Sequence, residues 1–209
     1  MEEKLLIYYM WYPSKESPQT HHENGRYLLK QALKNEYDIE FTEEMLEHKE
    51  YGKPVLKHGP VQFSISHCKG MAVCVLSPFA LGADTEGPRR VTEALIDRVC
   101  CEKESRYVKE YGCRYKAQRF LRLWTLKESY LKMTGEGLRL PLDQVQFEIT
   151  RELEPGKWVF PKEIGSSRQG NFWQIELKKD YILSICMEKT EESSSMLKKE
   201  PTLKEILHW

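Results

Sequence analysis

The sequence predicts an α+β protein of two pseudo-symmetric α/β lobes, with a functional site between the lobes. Each half carries helical segments and two strands in hairpin order, at residues 63–77 in the first half and 172–187 in the second. Hydrophobic residues make up 40% and aromatic residues 11% of the 209-residue chain. This apolar content is sufficient for a packed core and excludes a globally disordered chain.

In the first half, short strands surround one long helix. Residues 5–11 predict a first strand that ends before Pro13, and apolar residues on one side predict a helix over 22–35. Gly52-Lys53-Pro54 predicts a turn. Strands at 63–66 and 71–77 are joined by four residues, as in a hairpin, and another strand follows over 81–84.

The second half begins with helices and ends with strands. Helices are predicted over 93–99, 102–111 and 114–134, and the paired glycines of Gly135-Glu136-Gly137 end the last one. Strands are predicted over 145–149, 158–160, 172–177 and 181–187.

We place the lobe boundary between residues 81 and 82. The first lobe then comprises residues 1–81, the second residues 82–190, and a carboxy-terminal tail residues 191–209. Glu191–Ser195 predicts a linker. Residues 198–209 predict a short helix that docks through Leu203, Ile206, Leu207 and Trp209. A site between two lobes of one chain predicts a monomer.

Composition limits the classes of function. The chain has 32 Lys+Arg and 32 Asp+Glu, and this zero net charge argues against a general nucleic-acid binder. The amino terminus carries acids and no long apolar stretch, so we expect neither a signal peptide nor a membrane span. None of the six cysteines forms a Cys-x-x-Cys pair, which predicts reduced thiols in a cytoplasmic protein.

Three carboxylates carry the chemical signal of the chain. Asp84 and Glu86 end an apolar strand and, being two residues apart, point to the same side. Glu128 lies on the predicted helix 114–134, in line with the apolar stripe of Phe120 and Trp124. An inward carboxylate is costly unless it is paired or metal-bound. Three converging carboxylates predict a Mg²⁺ site that also takes substrate phosphates.

Five motifs occur in an order and spacing that resemble a known family. They are Gly52-Lys53-Pro54, Phe63-Ser64-Ile65-Ser66-His67, Gly82-Ala83-Asp84-Thr85-Glu86, Trp124-Thr125-Leu126-Lys127-Glu128-Ser129 with Lys132, and Gly135-Glu136-Gly137-Leu138-Arg139-Leu140-Pro141-Leu142. Over residues 25–187 the chain resembles 4′-phosphopantetheinyl transferases of the surfactin-synthetase-activating (Sfp-like) type. The resemblance implies Mg²⁺-dependent transfer of the phosphopantetheine arm of coenzyme A to a serine of an apo acyl or peptidyl carrier protein. The other product would be adenosine 3′,5′-bisphosphate.

The resemblance implies metal and catalytic roles. Asp84, Glu86 and Glu128 would ligate Mg²⁺. Glu128 or Glu104 would accept the serine proton, and we favour Glu128 because a metal-adjacent carboxylate lies nearest the attacking oxygen. Lys132 follows Glu128 by one helical turn and would offset pyrophosphate charge or protonate the leaving group.

The resemblance also implies contacts to coenzyme A. Lys53, Ser66 and His67 would hold its phosphates, and Lys30 would lie near the nucleotide. His21 stands where the family usually has an arginine.

Two other functions use the same features. The three carboxylates would equally serve a metal-dependent hydrolase of nucleotide pyrophosphates, and a protein with an inactive site would only bind carrier proteins or coenzyme A. Lys116, Arg119 and Arg122 recur every three residues on the long helix. We interpret them as an exposed face, and as a hypothetical docking surface for an acidic carrier-protein helix.

Overall fold

The protein is described by a computed structural model that covers residues 4–207 except 14, 16, 111, 166, 167 and 198. The helices are α1 (Pro18–Tyr37), α2 (Glu93–Val99), α3 (Glu102–Lys109), α4 (Gly112–Thr134) and α5 (Glu191–Met196). The strands of the first half are β1 (Leu6–Trp11), β2 (Leu46–His48), β3 (Pro54–Leu56), β4 (Gln62–Cys68) and β5 (Met71–Ser77). The remaining strands are β6 (Leu81–Glu86), β7 (Gln146–Glu148), β8 (Lys162–Gly165), β9 (Gly170–Lys178), β10 (Tyr181–Glu188) and β11 (Thr202–Glu205).

Two sheets form the framework. The first has the strand order β11-β1-β5-β4, in which β11 runs parallel to β1 and the other pairs are antiparallel. The second is an antiparallel sheet with the order β6-β10-β9. Among the described residues, β2 pairs with β3 and β7 with β8 as separate two-stranded ribbons. The predicted α+β class is therefore confirmed.

Each sheet is covered by a helix on one face and by the other sheet on its opposite face. Leu29 and Leu33 of α1 pack on the first sheet, and α4 packs on the second. Between the sheets, Ile7 and Val73 meet Trp173 and Ile185 in a common core. Successive side chains of a strand alternate between its two faces, so each strand supplies both layers. The layer order is helix, sheet, sheet, helix.

Several predicted elements need correction. The predicted strand 158–160 is only an isolated bridge between Val159 and Gln174. The predicted linker at 191–195 is helix α5, which begins at the capping residue Thr190. The predicted carboxy-terminal helix is wrong, because residues 202–205 form β11 and hydrogen bond to β1. Its residues 198, 208 and Trp209 lie outside the described part of the chain. Ladder pairing with an existing sheet edge has overridden the helical spacing of the apolar residues.

Helix α4 is buried on nearly all sides, because β6 and β10 cover one side and α3 another. The expectation that Arg119 and Arg122 are exposed is wrong, since they are 7% and 1% exposed. Both donate to Glu152, at 2.5 and 3.1 Å. A buried arginine is stable when a carboxylate compensates its charge. These two side chains therefore do not form a docking surface.

The turn between β4 and β5 is shorter than predicted. Strand β4 continues through His67 to Cys68, which shortens the predicted four-residue turn to Lys69 and Gly70. No helix in the described part of the chain has the length and apolar content needed to cross a membrane.

Candidate active site

The site lies where β6 of the second sheet faces α4 and adjoins β4 of the first sheet. Gly82 allows this arrangement, since a Cβ there would overlap the backbone of α4 at Ser129 and Met133. The side chains of Asp84 and Glu86 lie on the same side of β6 as Gly82. The predicted shared orientation of the two acids thus directs both towards the helix.

On α4, three residues mark the open side of the helix. Within residues 119–133, only Trp124, Glu128 and Lys132 are half-buried, and the remaining positions are buried. Their spacing of four residues places them in one row along the helix. Glu128 was predicted to point inward. In the structure it lies on the open side of α4 and not in the apolar core.

Asp84 is the centre of a hydrogen-bond network. Its Oδ1 accepts from Lys132 Nζ at 2.6 Å and from Ser66 Oγ at 2.9 Å. Lys132 Nζ also donates to Ser66 Oγ at 3.0 Å. Asp84 is 7% exposed, and its Oδ2 is buried with no hydrogen-bond partner in the described residues. A buried carboxylate oxygen without a partner is costly, which makes it a strong candidate for binding a cation.

Glu86 and Glu128 share the negative potential around Asp84. Burial, followed by the charge of Asp84, raises the pKa of Glu86. Burial, followed by the same charge, raises the pKa of Glu128 to about 7, although the ammonium of Lys132 opposes this rise. Among the described residues, no three His, Cys, Asp or Glu side chains already form a metal-binding group. The carboxylates of Asp84, Glu86 and Glu128 are therefore neighbours, and they would have to move closer together to bind one cation.

Arg89 is a neighbour of the site that the sequence did not reveal. Its Nη1 donates to Glu86 Oε1 at 3.1 Å, and its guanidinium carbon lies 5.8 Å from the centre of the Trp124 ring. The guanidinium therefore holds one predicted metal ligand against the helix. Its position three residues after Glu86 was the available signal.

Glu104 has a different environment from the other acids. It is 3% exposed, and its Oε2 accepts from Lys127 Nζ at 2.6 Å and from Cys101 N at 3.0 Å. Its Oε1 accepts from Phe147 N at 3.0 Å. The carboxylate thus joins α3, α4 and β7. All of these contacts are structural, and they do not connect Glu104 to Asp84.

A cavity of about 260 Å³ lies next to Glu128 and Lys132. Its other walls include Tyr51, Lys53 and Ile65, so the first half of the chain contributes one side. Lys53 Nζ donates to the backbone oxygen of Leu81 at 2.9 Å and, more weakly, to that of Met133 at 3.4 Å. Burial lowers the pKa of Lys53 to about 8. The predicted phosphate ligand thus lines the cavity while tying the Gly52-Lys53-Pro54 turn to β6 and α4.

A group of three histidines borders the site. The ring centre of His67 lies 4.8 Å from that of His22 and 5.7 Å from that of His21. Burial lowers the pKa of His67 to about 4, and the nearby His22, His21 and Lys132 contribute to the decrease. Sequence reasoning found His67 and His21 but missed His22, whose adjacency to His21 was the only signal. Lys30, predicted near the nucleotide, is exposed on α1.

Comparison with known proteins connects this geometry to a family. A family model described as the 4′-phosphopantetheinyl transferase superfamily matches residues 80–186, just over half of the chain. The chain is 26% identical, over 61% of its length, to the 4′-phosphopantetheinyl transferase Sfp of Bacillus subtilis. It is 29% identical, over 64% of its length, to the 4′-phosphopantetheinyl transferase HetI of Nostoc.

A vertebrate protein shows a longer match. The chain is 28% identical, over 73% of its length, to the L-aminoadipate-semialdehyde dehydrogenase-phosphopantetheinyl transferase of Xenopus laevis. The matches span 58%, 58% and 56% of the lengths of the Sfp, HetI and Xenopus proteins. The chain therefore corresponds to somewhat more than half of each relative.

Proposed function

This chain belongs to the 4′-phosphopantetheinyl transferase superfamily, and we propose that it transfers the phosphopantetheine arm of coenzyme A to a serine of an apo acyl or peptidyl carrier protein. The serine oxygen forms a bond to the phosphorus that carries the arm, and the bond from this phosphorus to the bridging pyrophosphate oxygen breaks. The products are the holo carrier protein and adenosine 3′,5′-bisphosphate. The observation that carries the proposal is the buried Asp84 carboxylate, with one oxygen held by Lys132 and Ser66 and the other without a described partner.

The donor set fits a magnesium ion. Asp84, Glu86 and Glu128 would hold it, because carboxylate oxygens are preferred Mg²⁺ ligands and the buried Asp84 Oδ2 needs a cation or a donor. When bound, Mg²⁺ would neutralise charge that develops on the pyrophosphate. Arg89 would keep Glu86 in place beside Trp124.

Glu128 is the proposed general base. It borders the cavity together with Lys132, and a carboxylate beside the proposed metal lies nearest the attacking serine oxygen. Glu104 was the other candidate, but both of its oxygens already accept hydrogen bonds within the protein. We therefore assign Glu104 to positioning of α4 through Lys127. Lys132 would donate to a phosphate oxygen or to the leaving group.

The histidine group supports binding of the phosphates of coenzyme A. His21, His22 and His67 lie together near Lys132, and the nearby charges oppose a positive charge on His67. A phosphate would relieve this repulsion and accept hydrogen bonds from the imidazoles. Lys53 lines the neighbouring cavity and would also bind a phosphate of coenzyme A. Lys30 stays a proposed contact near the nucleotide.

We propose that the enzyme acts as a cytoplasmic monomer, and that its two helix-and-sheet halves form pseudo-symmetric lobes. The proposed lobes are residues 1–81 and 82–190, and residues 191–209 form the tail.

Intact-mass spectrometry tests the function directly. An apo carrier protein is incubated with this protein, coenzyme A and Mg²⁺, and we expect the mass of one phosphopantetheine to be added. EDTA should abolish the gain, and the Glu128→Gln variant should lose most of the rate. Release of free phosphopantetheine would support the pyrophosphate hydrolase instead. Intact coenzyme A with several carrier types would support a binding protein without activity.

A further inference from the structure

We propose that Ser66 is a positioning residue whose hydroxyl group orients the Asp84 carboxylate for a divalent cation, and that this hydroxyl group is not a contact to a phosphate of coenzyme A. The inference rests on the proposed function, because it concerns the metal ligand of that site. It departs from the role that the family resemblance implies for Ser66.

The hydroxyl group of Ser66 is fully used inside the protein. A hydroxyl can donate one hydrogen bond and accept two. Ser66 Oγ donates to Asp84 Oδ1 at 2.9 Å, and it accepts from Thr85 N at 3.1 Å and from Lys132 Nζ at 3.0 Å. A phosphate oxygen only accepts, so it would have to take the single proton that Asp84 now receives.

The consequence of these bonds falls on the other carboxylate oxygen. Ser66 and Lys132 both bind Oδ1 of Asp84, and Oδ2 is buried with no described partner. Two donors on one oxygen fix the rotation of the carboxylate, which leaves Oδ2 as the oxygen that can meet a cation. Hydrogen bonds of this kind to a metal ligand typically change metal affinity about 10- to 100-fold.

Ser64 provides a matched control on the same strand. Its Oγ accepts from Ala83 N at 2.9 Å, as Ser66 Oγ accepts from Thr85 N. Both serines are buried and connect β4 to β6. Among the described residues, however, only Ser66 combines this connection with a hydrogen bond to Asp84. A comparison of the two serines therefore separates strand bridging from carboxylate orientation.

The test measures metal and nucleotide binding separately. Mn²⁺ is titrated into protein saturated with coenzyme A, and coenzyme A itself, which carries all three phosphates, is titrated by calorimetry in EDTA. We expect Ser66→Ala to weaken Mn²⁺ binding about 10- to 100-fold and to leave nucleotide affinity without metal within about twofold. Ser64→Ala should resemble the wild type in both titrations. Ser66→Thr keeps the hydroxyl and should restore Mn²⁺ affinity.

The opposite pattern overturns the proposal. Weaker nucleotide binding by Ser66→Ala in EDTA, with unchanged Mn²⁺ binding, would make Ser66 a phosphate contact. An equal loss of Mn²⁺ affinity in Ser64→Ala would assign the effect to strand bridging. If Ser66→Ala binds Mn²⁺ normally while metal-dependent transfer persists, only the role of Ser66 fails. If wild type and Asp84→Asn bind Mn²⁺ equally weakly, the proposed metal site fails together with this role.

Discussion

Loss of the Glu104 charge should destabilise the protein strongly. Lys127 is 0% exposed, and its Nζ donates to Glu104 Oε2 at 2.6 Å and to the backbone oxygens of Val99 and Leu142, each at 2.9 Å. In Glu104→Gln the side chain keeps its shape, but the ammonium loses its only described carboxylate partner. Neutral carbonyl acceptors cannot compensate a buried positive charge fully.

The expected effect follows from the burial of the pair. Removing one partner of a buried ion pair costs about 3–5 kcal/mol of unfolding free energy. For a chain of this length, each kcal/mol lowers Tm by about 2–4 °C, so Glu104→Gln should melt about 6–20 °C below the wild type. A double variant, Glu104→Leu with Lys127→Met, should recover most of this loss because no charge remains buried.

Urea unfolding followed by circular dichroism measures these differences. The single variants Glu104→Leu and Lys127→Met, the double variant and the wild type form a cycle that gives the coupling energy of the pair. A Glu104→Gln protein within about 1 kcal/mol of the wild type would refute the reasoning, since the charge would then not be needed. A variant of normal stability whose kcat fell about 100-fold or more would instead identify Glu104 as the base.

Three further predictions concern the site. Gly82→Ala should lower the free energy of unfolding by about 1–3 kcal/mol and Tm by about 2–12 °C, because the new Cβ overlaps the backbone of α4. An unchanged melting curve would contradict this close packing of β6 on α4. Mn²⁺ affinity should rise about tenfold from pH 6 to pH 8, because only ionised Glu128, with a pKa of about 7, binds a cation. The Glu128→Gln variant should show a flat pH profile. A flat profile for the wild type would contradict the assignment of Glu128 as a metal ligand. Adenosine 3′,5′-bisphosphate should raise the pKa of His67 from about 4 by about one unit or more, because a nearby phosphate favours the protonated imidazole. An NMR titration measures this pKa, and the His67→Asn variant identifies the signal. An unchanged pKa would mean that the phosphates bind elsewhere.

Local patterns predicted much of this fold. Strands β4, β5 and β6 follow from short apolar runs and the hairpin pattern. Helix α4 follows from helical spacing and from the glycines near 135. All of these are short-range signals. The shared side of Asp84 and Glu86 also follows from the two-residue period of a strand. Their proximity to Lys132 required the order of several motifs, because the contact joins β6 to a helix 48 residues further along the chain.

The incorrect predictions depended on distant partners. Residues 203–207 have helical spacing, and nothing local indicates the parallel pairing with β1 that makes 202–205 a strand. Arg122 has the spacing of an exposed face, but its side chain is buried, with hydrogen bonds to the buried Gln174 and to Glu152 at the surface. The environment of His67 likewise depends on residues about 45 positions earlier. Such partners are determined by tertiary packing and are not readable from a single sequence.

The parallel pairing of β1 with β11 has a consequence for protein synthesis. Leu6 pairs with Thr202, so β1 is synthesised long before the strand that completes its sheet. At ribosomal rates, the intervening residues take about 10–40 s to emerge. During this interval the edge of β1 has open backbone groups, which can pair with other nascent chains. A chaperone that shields this edge until β11 is made would therefore raise the yield of the native protein.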